Sequence, residues 1–516
     1  MYEPEGAACL MDQTKKYYTP DFIEHREYHE TDLEEALQIA GVGKYQIWHC
    51  CLMVASLSSS LLEIVGTAFT LPAAACDLSL PYNLKGIITS VPNMGVILTA
   101  PLWGWAADSM GRKPVLLFTS AVAGTVSLAA AFTSSLAGFT ICKFIASLFL
   151  SSPSSLGWAY MSEMLPKNRR DSIVLTCNGF LMMSSVLSPV IAWVILPSDW
   201  SYSDTDSVKP WRVLTASYAL PLLITALLLT RASESPKFLM AKGKSRRALE
   251  VVKRIYSVNS GQPPERFYVT SIRSDDSERL MCSVSVDKWG SSGLDLLRPP
   301  HFKWLALTGF LMFGVFSLLN GLFLLAPDTI NKVMSSESST GTICMLAETP
   351  TNQTIACTDT MSAATFLIMV VTTILYSGLV MVIYLTPLNK KTLLVGMYAI
   401  VGAACLTAGL HENRVVAGVA LSALQLTALG VGPLTVYAVH LFPTRLRGTA
   451  VGGVLMCGRA GSVVGATVAG YLLAEACSAT FYGFTALLFL CAALSLWLPK
   501  HHSATRCSDL HEDTHR

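Results

Sequence analysis

The chain has 516 residues, of which 52% are hydrophobic and only 14% are charged. This balance is too apolar for a soluble protein of that size, and the formal net charge of +2 is too small to indicate a partner. We therefore expect an integral, multi-pass membrane protein whose partner is the lipid bilayer and not nucleic acid.

Polar residues dominate the first 45 positions, which lack the basic segment, apolar core and cleavage site of a signal peptide. Twelve apolar stretches of about 20 residues follow, and each is long enough to cross a bilayer as a helix. We number them membrane helices 1 to 12: 46–73, 86–107, 114–134, 137–161, 172–195, 211–230, 303–326, 362–386, 392–410, 415–440, 449–474 and 479–498.

These stretches predict an all-α membrane protein with two pseudo-symmetric six-helix halves. The predicted parts are a tail at 1–45, the first half at 46–230, an inter-half segment at 231–302, the second half at 303–498 and a tail at 499–516. An internal repeat supports the duplication, because Glu163–Arg170 ends helix 4, His440–Arg447 ends helix 10, and both place proline and arginine at the same offsets. Chance similarity between two basic loops that contain proline is the alternative.

Lysine and arginine are concentrated in the loops on one side of the predicted membrane and in the inter-half segment. The opposite loops hold only Lys85, Lys209, Lys332 and Arg414. Since cytoplasmic loops carry the excess of positive charge, both termini are predicted to be cytoplasmic. Within the inter-half segment, Gly243–Ile255 has the apolar spacing of an amphipathic helix, which we expect to lie along the membrane face.

The loop between membrane helices 2 and 3 contains Gly104, Asp108, Gly111, Arg112 and Lys113. Glycine allows the two helix ends to approach closely, and the carboxylate of Asp108 can bond a helix N-terminus or an arginine. We predict that this loop belongs to a gate on the cytoplasmic side. An ordinary positively charged loop is the alternative.

Other gate candidates end or follow membrane helices on the same side: Glu163 and Arg170 at helix 4, Glu234 after helix 6, and Arg445 and Arg447 at helix 10. His440 stands in the second copy of the repeat where the first has Glu163. An acid and arginine clasp is therefore available only in the first half.

Three ionisable residues lie deep in predicted membrane helices, where an unpaired charge is unfavourable by a few kcal/mol or more. Glu63 and Lys143 lie at similar depths in helices 1 and 4 and are predicted to pair; a lysine that extends to the membrane surface is the alternative. Arg459 lies near the middle of helix 11, either as a structural lock between the halves or as a contact for an anionic substrate.

The predicted central cavity contains Glu63, Lys143, Tyr160, Asn178, Asn320 and Arg459. The uncharged members are weaker candidates, since aromatic and amide side chains in membrane helices more often pack or join helices.

The loop between membrane helices 7 and 8 is predicted to lie outside. It contains Cys344, Cys357 and the sequon that begins at Asn352. We predict a disulfide between the two cysteines and glycosylation of Asn352. Unpaired cysteines and a sequon that occurs by chance are the alternative.

Sequence motifs for phosphate binding, metalloprotease chemistry or a nucleophilic serine are missing from the chain. The sequence therefore predicts no enzyme, no cofactor and no metal site.

The run from Gly104 to Lys113 resembles the signature of the major facilitator superfamily, with Ser109 in place of the usual arginine. The run from Ser233 to Phe238 resembles the signature after helix 6 of sugar porters. Three passages resemble the synaptic vesicle glycoprotein 2 family and its related-protein branch: 32–46, 71–78 and 211–213.

This resemblance implies the major facilitator fold, in which helices 1 and 4 line a central cavity. It also implies alternating-access transport of a small organic solute, with or without a coupling ion, in the plasma membrane or a secretory or synaptic-type vesicle. Family features are changed around Glu63, Lys143 and Leu181. A transporter-like trafficking or scaffold protein with little or no transport is the alternative function, and facilitated or exchange transport is favoured over proton coupling.

Overall fold

A computed structural model describes residues 29–81, 84–198, 209–273, 298–299, 301–335, 341–347, 361–386, 389–442 and 446–499. This part of the chain contains twelve helices that are long and apolar enough to cross a bilayer, which confirms the predicted all-α membrane fold. In order, the spans of membrane helices 1 to 12 are Lys44–Ala74, Lys85–Met110, Arg112–Ala130, Leu136–Glu163, Lys167–Ile195, Pro210–Leu229, His301–Met334, Ala363–Ile383, Lys390–Leu410, Arg414–Ala438, Thr449–Leu473 and Cys477–Ser495. Below, the face of the bundle where membrane helix 1 begins is called the tail face, and the opposite one the far face.

Within the described residues, membrane helices 5, 7 and 10 are interrupted. Helix 5 consists of Lys167–Ser184 and Leu187–Ile195. Helix 7 consists of His301–Ser317, a π-helical turn at Leu318–Leu322, a 3₁₀ turn at Phe323–Leu325, and Ala326–Ser335. Helix 10 consists of Arg414–Ser422, a 3₁₀ stretch at Ala423–Gly430, and Val431–His440. The breaks in helices 7 and 10 pack against each other. Irregular turns of this kind are frequent at functional sites, so this contact is a candidate functional region.

Each half has its own packing. In the first half, helix 4 packs on helices 2 and 3, and helix 6 packs on helices 1 and 3. In the second half, helix 7 packs on helix 11 and helix 9 on helix 12. The two halves meet where helix 2 packs on helix 11 and where helix 5 packs on helix 8.

On the tail face, the residues before membrane helix 1 fold onto the inter-half segment. Strand β1, His29–Thr31, pairs in parallel with strand β2, Val269–Ile272, and helix Leu33–Ala40 packs on helix Ser245–Ser260. Four apolar side chains of Ser245–Ser260 are buried within the protein: Ala248, Leu249, Val252 and Ile255. The expectation that this helix lies on the membrane was therefore wrong, because the N-terminal residues cover its apolar face. The further short helices described on this face are Pro236–Ala241 and the 3₁₀ turn Pro264–Arg266.

On the far face, the predicted partner of Cys344 was wrong. Cys344 lies in the short helix Ile343–Ala347 and is bonded to Cys477, the first residue of membrane helix 12. The Cα atoms are 5.5 Å apart, within the range that a disulfide requires, although 133 residues separate the two cysteines. The fold, and not nearness in the chain, selects the partner. Cys357 and Asn352 lie outside the described residues.

Candidate functional site

Arg112 is the centre of a charge cluster where membrane helices 2, 3 and 4 end at the tail face. Its Nη2 atom lies 3.1 Å from Glu163 Oε1 and 3.0 Å from Asp108 Oδ1, and its Nη1 donates to the carbonyl of Ala107 at 2.9 Å. The Glu163 side chain is 15% exposed, whereas that of Asp108 is 73% exposed. The less exposed Glu163, and not Asp108, is therefore the main partner of Arg112.

Glu234 completes this cluster from the inter-half segment. Its carboxylate accepts hydrogen bonds from the backbone N–H groups of Arg112 and Lys113 at 3.1 and 3.3 Å, so it lies at the N-terminus of membrane helix 3. Burial raises the pKa of Glu234, although these N–H donors and the charge of Arg112 favour its ionised form.

The two loop glycines have different roles. Gly111 has a φ of +114°, and a Cβ there would lie 2.4 Å from Glu234 Oε2, so the cluster depends on glycine at this position. A Cβ on Gly104 would meet nothing within 4 Å. The expectation that Gly104 permits a close helix approach was therefore wrong.

We predict that Glu163→Gln destabilises the tail-face cluster far more than Asp108→Asn. Asp108 forms an exposed pair with Arg112 four residues on, which contributes about 0.3 to 0.5 kcal/mol. Loss of the charged hydrogen bond between Arg112 and the largely covered Glu163 costs about 1.5 to 3 kcal/mol. Thermal unfolding of the purified variants measures the difference. Equal shifts for the two variants would contradict this ranking.

Arg170 does not pair with Glu163 and instead contacts Glu34 in the N-terminal segment. Arg170 Nη2 lies 2.7 Å from Glu34 Oε1, and Lys237 Nζ lies 2.5 Å from the same oxygen. Burial opposes ionisation of Glu34, but hydrogen bonds and charge from Lys237 and Arg170 outweigh it and lower the pKa of this carboxyl. Glu34 thus connects the N-terminal segment to membrane helix 5 and to helix Pro236–Ala241.

A pH dependence follows from this lowered pKa. The ionised form of Glu34 stabilises the contact above its ordinary pKa of 4.5, and this contribution is lost as the pH falls through the lowered pKa. At pH 7 we therefore expect Glu34→Gln to increase hydrogen exchange of residues 29–46. In the wild type, after correction for intrinsic rates, the same increase should appear only below pH 4.5. Glu30→Gln, at an exposed acid of the same segment, is the matched control, and an equal effect of both variants would contradict the assignment.

Glu63 and Lys143 are brought together inside the first half. Lys143 Nζ lies 2.5 Å from Glu63 Oε1, and the side chains are only 4% and 2% exposed. Ser127 of membrane helix 3 also donates to Glu63, and the Lys143 ammonium lies 5.7 Å from the centre of the Phe139 ring. The pair therefore lies between helices 1, 3 and 4, which corrects its predicted place on the cavity surface.

Other predicted cavity residues have separate positions. Tyr160 is fully buried and donates to the carbonyl of Ser233 at the tail face, so its assignment to the central cavity was wrong. Asn178 is partly exposed on membrane helix 5, next to Gly179 at the contact with helix 8. Asn320 lies in the π-helical turn of helix 7.

Arg459 lies on membrane helix 11 and is partly exposed. Its guanidinium carbon is 5.8 Å from the centre of the Phe316 ring, and Asn320 donates to Ser462, one turn further along helix 11, at 2.9 Å. These groups form a polar site beside the break in helix 7. Arg445 lies outside the described residues, and Arg447 begins the helix that contains membrane helix 11.

An ion pair that the sequence did not predict connects the two halves at the far face. Lys85 Nζ, at the start of membrane helix 2, lies 2.9 Å from Asp328 Oδ1 in the last segment of helix 7. Next to it, Gly86 meets Gly470 of helix 11, where a Cβ on Gly470 would lie 2.3 Å from the Cα of Gly86. The available signal was that Lys85 is one of few cations on its side of the membrane.

Two of the sequence passages with a family resemblance meet on the same face. The indole N–H of Trp211 donates to Asp77 at 2.7 Å, and Lys209 lies 3.1 Å from the same carboxylate. Burial opposes ionisation of Asp77, but these two partners outweigh it and lower the pKa of its carboxyl. The contact joins the ends of membrane helices 1 and 6.

The sequence of this chain matches a known protein family. A family model described as the Major Facilitator Superfamily matches residues 49–349. Synaptic vesicle glycoprotein 2C of Mus musculus is 28% identical over 247 residues, which are 47% of this chain and 34% of that protein. Synaptic vesicle glycoprotein 2A of Homo sapiens is 26% identical over 283 residues, which are 52% of this chain and 38% of that protein. The chain thus spans little more than a third of the length of these curated relatives.

Solved structures resemble the fold. The partially occluded, inward-open xylose transporter XylE from E. coli has a TM-score of 0.60 at 15% identity and covers 89% of this chain and 100% of its own. A D-xylose-proton symporter has a TM-score of 0.58 at 18% identity, with coverages of 89% and 99%. At such identities the likeness shows the fold alone. The matched family and the relatives above are not enzymes.

Proposed function

Since the chain belongs to the major facilitator superfamily, we propose that it transports a small organic solute across a membrane by alternating access. In this mechanism two six-helix halves rock about a central site, and one face closes while the other opens. In the same proposal, the chain is divided into an N-terminal tail, two six-helix halves, the inter-half segment between them and a C-terminal tail. Both termini are cytoplasmic. The membrane is that of the cell surface or of a secretory or synaptic-type vesicle.

The contact between the halves at the far face carries this proposal. Lys85 pairs with Asp328 across the halves, and Gly86 touches Gly470. On the tail face, the ion pairs of the described residues connect membrane helices of the first half only with one another and with the segments at 29–43 and 231–273. An ion pair between the halves at the far face, with none among the described residues at the tail face, fits a state that is closed outside and open to the cytoplasm.

Facilitated or exchange transport fits the buried charges better than proton coupling. The ammonium of Lys143 already compensates the carboxylate of Glu63 at 2.5 Å, so Glu63 needs no proton to remain inside the bundle. Uptake into proteoliposomes with and without an imposed pH gradient separates the two modes. Solute accumulation that requires the gradient would favour proton coupling.

A reversible block of the far face tests alternating access. Purified protein in liposomes is screened for uptake of a mixture of small organic solutes, with protein-free liposomes as the reference. We expect at least one solute to enter, and we expect crosslinking of the double variant Lys85→Cys with Asp328→Cys to stop its uptake. The single variant Lys85→Cys, treated identically, is the control. Uptake that continues in the crosslinked protein would contradict the mechanism.

A trafficking or scaffold function is the second candidate, and the folded tail-face assembly favours it. Asn259 of the inter-half segment accepts a hydrogen bond from the backbone of Tyr45 at 3.0 Å and donates to the carbonyl of Gly41 at 3.0 Å. The N-terminal and inter-half segments thus form an ordered surface next to the membrane helices. If Arg459→Gln leaves the cellular function intact while deletion of residues 1–28 removes it, the scaffold function is supported.

A further inference from the structure

Membrane helix 11 has two contact faces, which define where its side chains point. On one face, a Cβ at Gly461 would lie 2.4 Å from the carbonyl oxygen of Phe313, and a Cβ at Gly465 would lie 2.3 Å from that of Ser317, both in helix 7. On the other face, Gly470 meets Gly86 of helix 2 in the other half. Helix 11 is therefore fixed between its neighbour in the second half and the first half.

Arg459 belongs to the face that points at the first half. It precedes Gly470 by eleven residues, which is close to three complete turns of an α-helix, so the two residues share a face. The rise of 1.5 Å per residue places Arg459 roughly 16 Å closer to the tail face than the contact with helix 2. Arg459 thus lies on the tail-face side of that contact, on the face of helix 11 that is turned towards the first half.

The charge of Arg459 has no counter-charge in the described part of the chain. Ion pairs among these residues do not include Arg459. Three acids of the described membrane helices already have cationic partners: Glu63 pairs with Lys143, Glu163 with Arg112 and Asp328 with Lys85. A guanidinium near the middle of a membrane keeps its charge and needs an anion, carbonyl groups or water.

Polar donors and irregular helices lie beside this cation. Asn320 donates to Ser462, three residues after Arg459, and the turn that contains Asn320 packs on the 3₁₀ stretch of helix 10. Gln425 lies in that stretch, 3.4 Å from the hydroxyl of Thr373 in helix 8. Asn320 and Ser462 therefore place an amide and a hydroxyl group within one turn of helix 11 from Arg459, beside the contact between the breaks in helices 7 and 10.

We propose that the transported solute is an organic anion whose carboxylate, sulfate or phosphate group binds Arg459. This inference rests on the transport function proposed above and adds the charge class of the solute. A guanidinium presents a planar set of N–H donors that matches two oxygens of such a group, and the bound anion neutralises the site. With the anion bound, the site carries no net charge while the two halves rock about it.

Uptake of charge-matched pairs tests the proposal. Proteoliposomes that contain the full chain receive a mixture of small carboxylates, phosphates and sulfonates, each with a neutral amide or alcohol of similar size, such as benzoate with benzamide. We expect only anions to enter faster than into protein-free liposomes. Arg459→Gln should reduce their uptake by about tenfold or more, and Arg459→Lys should restore part of it, because a charged hydrogen bond is lost in the first variant and replaced in the second. Arg246→Gln is the matched control, since that arginine is 94% exposed on the inter-half helix.

The outcomes separate this inference from the function on which it rests. If neutral solutes enter as fast as their anionic partners, transport stands and the anion assignment fails. If no solute enters, the transport function fails and the assignment fails with it.

A second measurement on the wild type does not depend on a folded variant. Phenylglyoxal modifies accessible arginines, and mass spectrometry reports its reaction with Arg459. A transported anion should reduce this reaction several-fold, whereas its neutral partner should not. Equal modification with both solutes would overturn the proposal.

Discussion

Lys143→Met is expected to reduce the stability of the folded protein strongly. The variant leaves the carboxylate of Glu63 buried, with Ser127 as the donor to Oε1 and no partner for Oε2 among the described residues. Removal of one member of a buried pair costs about 3 to 5 kcal/mol, because the remaining charge is uncompensated. Glu63→Gln should have a loss of similar size for the same reason. The double variant should recover part of both losses, since it buries no charge.

Thermal unfolding of the four purified proteins in one detergent measures this cycle. Ser127→Ala is the matched control, because it removes one hydrogen bond and leaves both charges, and its expected cost is about 1 kcal/mol. The recovery in the double variant measures the coupling between Glu63 and Lys143. If Lys143→Met has no effect, or if the two single losses simply add, the buried pair does not contribute to stability.

A side chain at Gly470 is expected to prevent closure of the far face. In Gly470→Ala the new Cβ would lie 2.3 Å from the Cα of Gly86, and neither atom belongs to a flexible side chain that could move aside. The halves must therefore separate at this face, and the population should shift towards a state open there. Solute uptake should fall strongly, because one of the two alternating states is no longer accessible.

Distances between spin labels measure this shift. Phe132 and Val415 are exposed positions on the far face, one in each half. Cysteines there accept the labels after serine replaces the exposed Cys51 and Cys457 and the cysteines of the polar segments, Cys9, Cys282 and Cys507. The distance between the labels should lengthen in Gly470→Ala. Gly452→Ala is the control on the same helix, since a Cβ there meets nothing within 4 Å. An unchanged distance in Gly470→Ala would show that this glycine contact does not hold the far face closed.

The sequence predicted those properties that depend only on the position of a residue along the chain. Twelve apolar stretches predicted twelve membrane helices, because hydrocarbon thickness sets a length that a single segment must satisfy alone. Similar depth in two helices predicted that Glu63 and Lys143 meet, since depth follows from counting residues along a helix. Even there, the third member, Ser127 of helix 3, was not predicted, because it depends on how the helices are rotated about their axes.

By itself, the sequence determined the number, order and depth of the membrane helices and the identity of the deep charges, since each is a property of one segment in a bilayer. Only the tertiary structure decided which partners these residues have. Arg170 contacts Glu34 across 136 residues, Cys344 is bonded to Cys477 across 133, and Lys85 pairs with Asp328 across 243. Such contacts depend on how helices pack and rotate against one another, and no local pattern of residues encodes that arrangement.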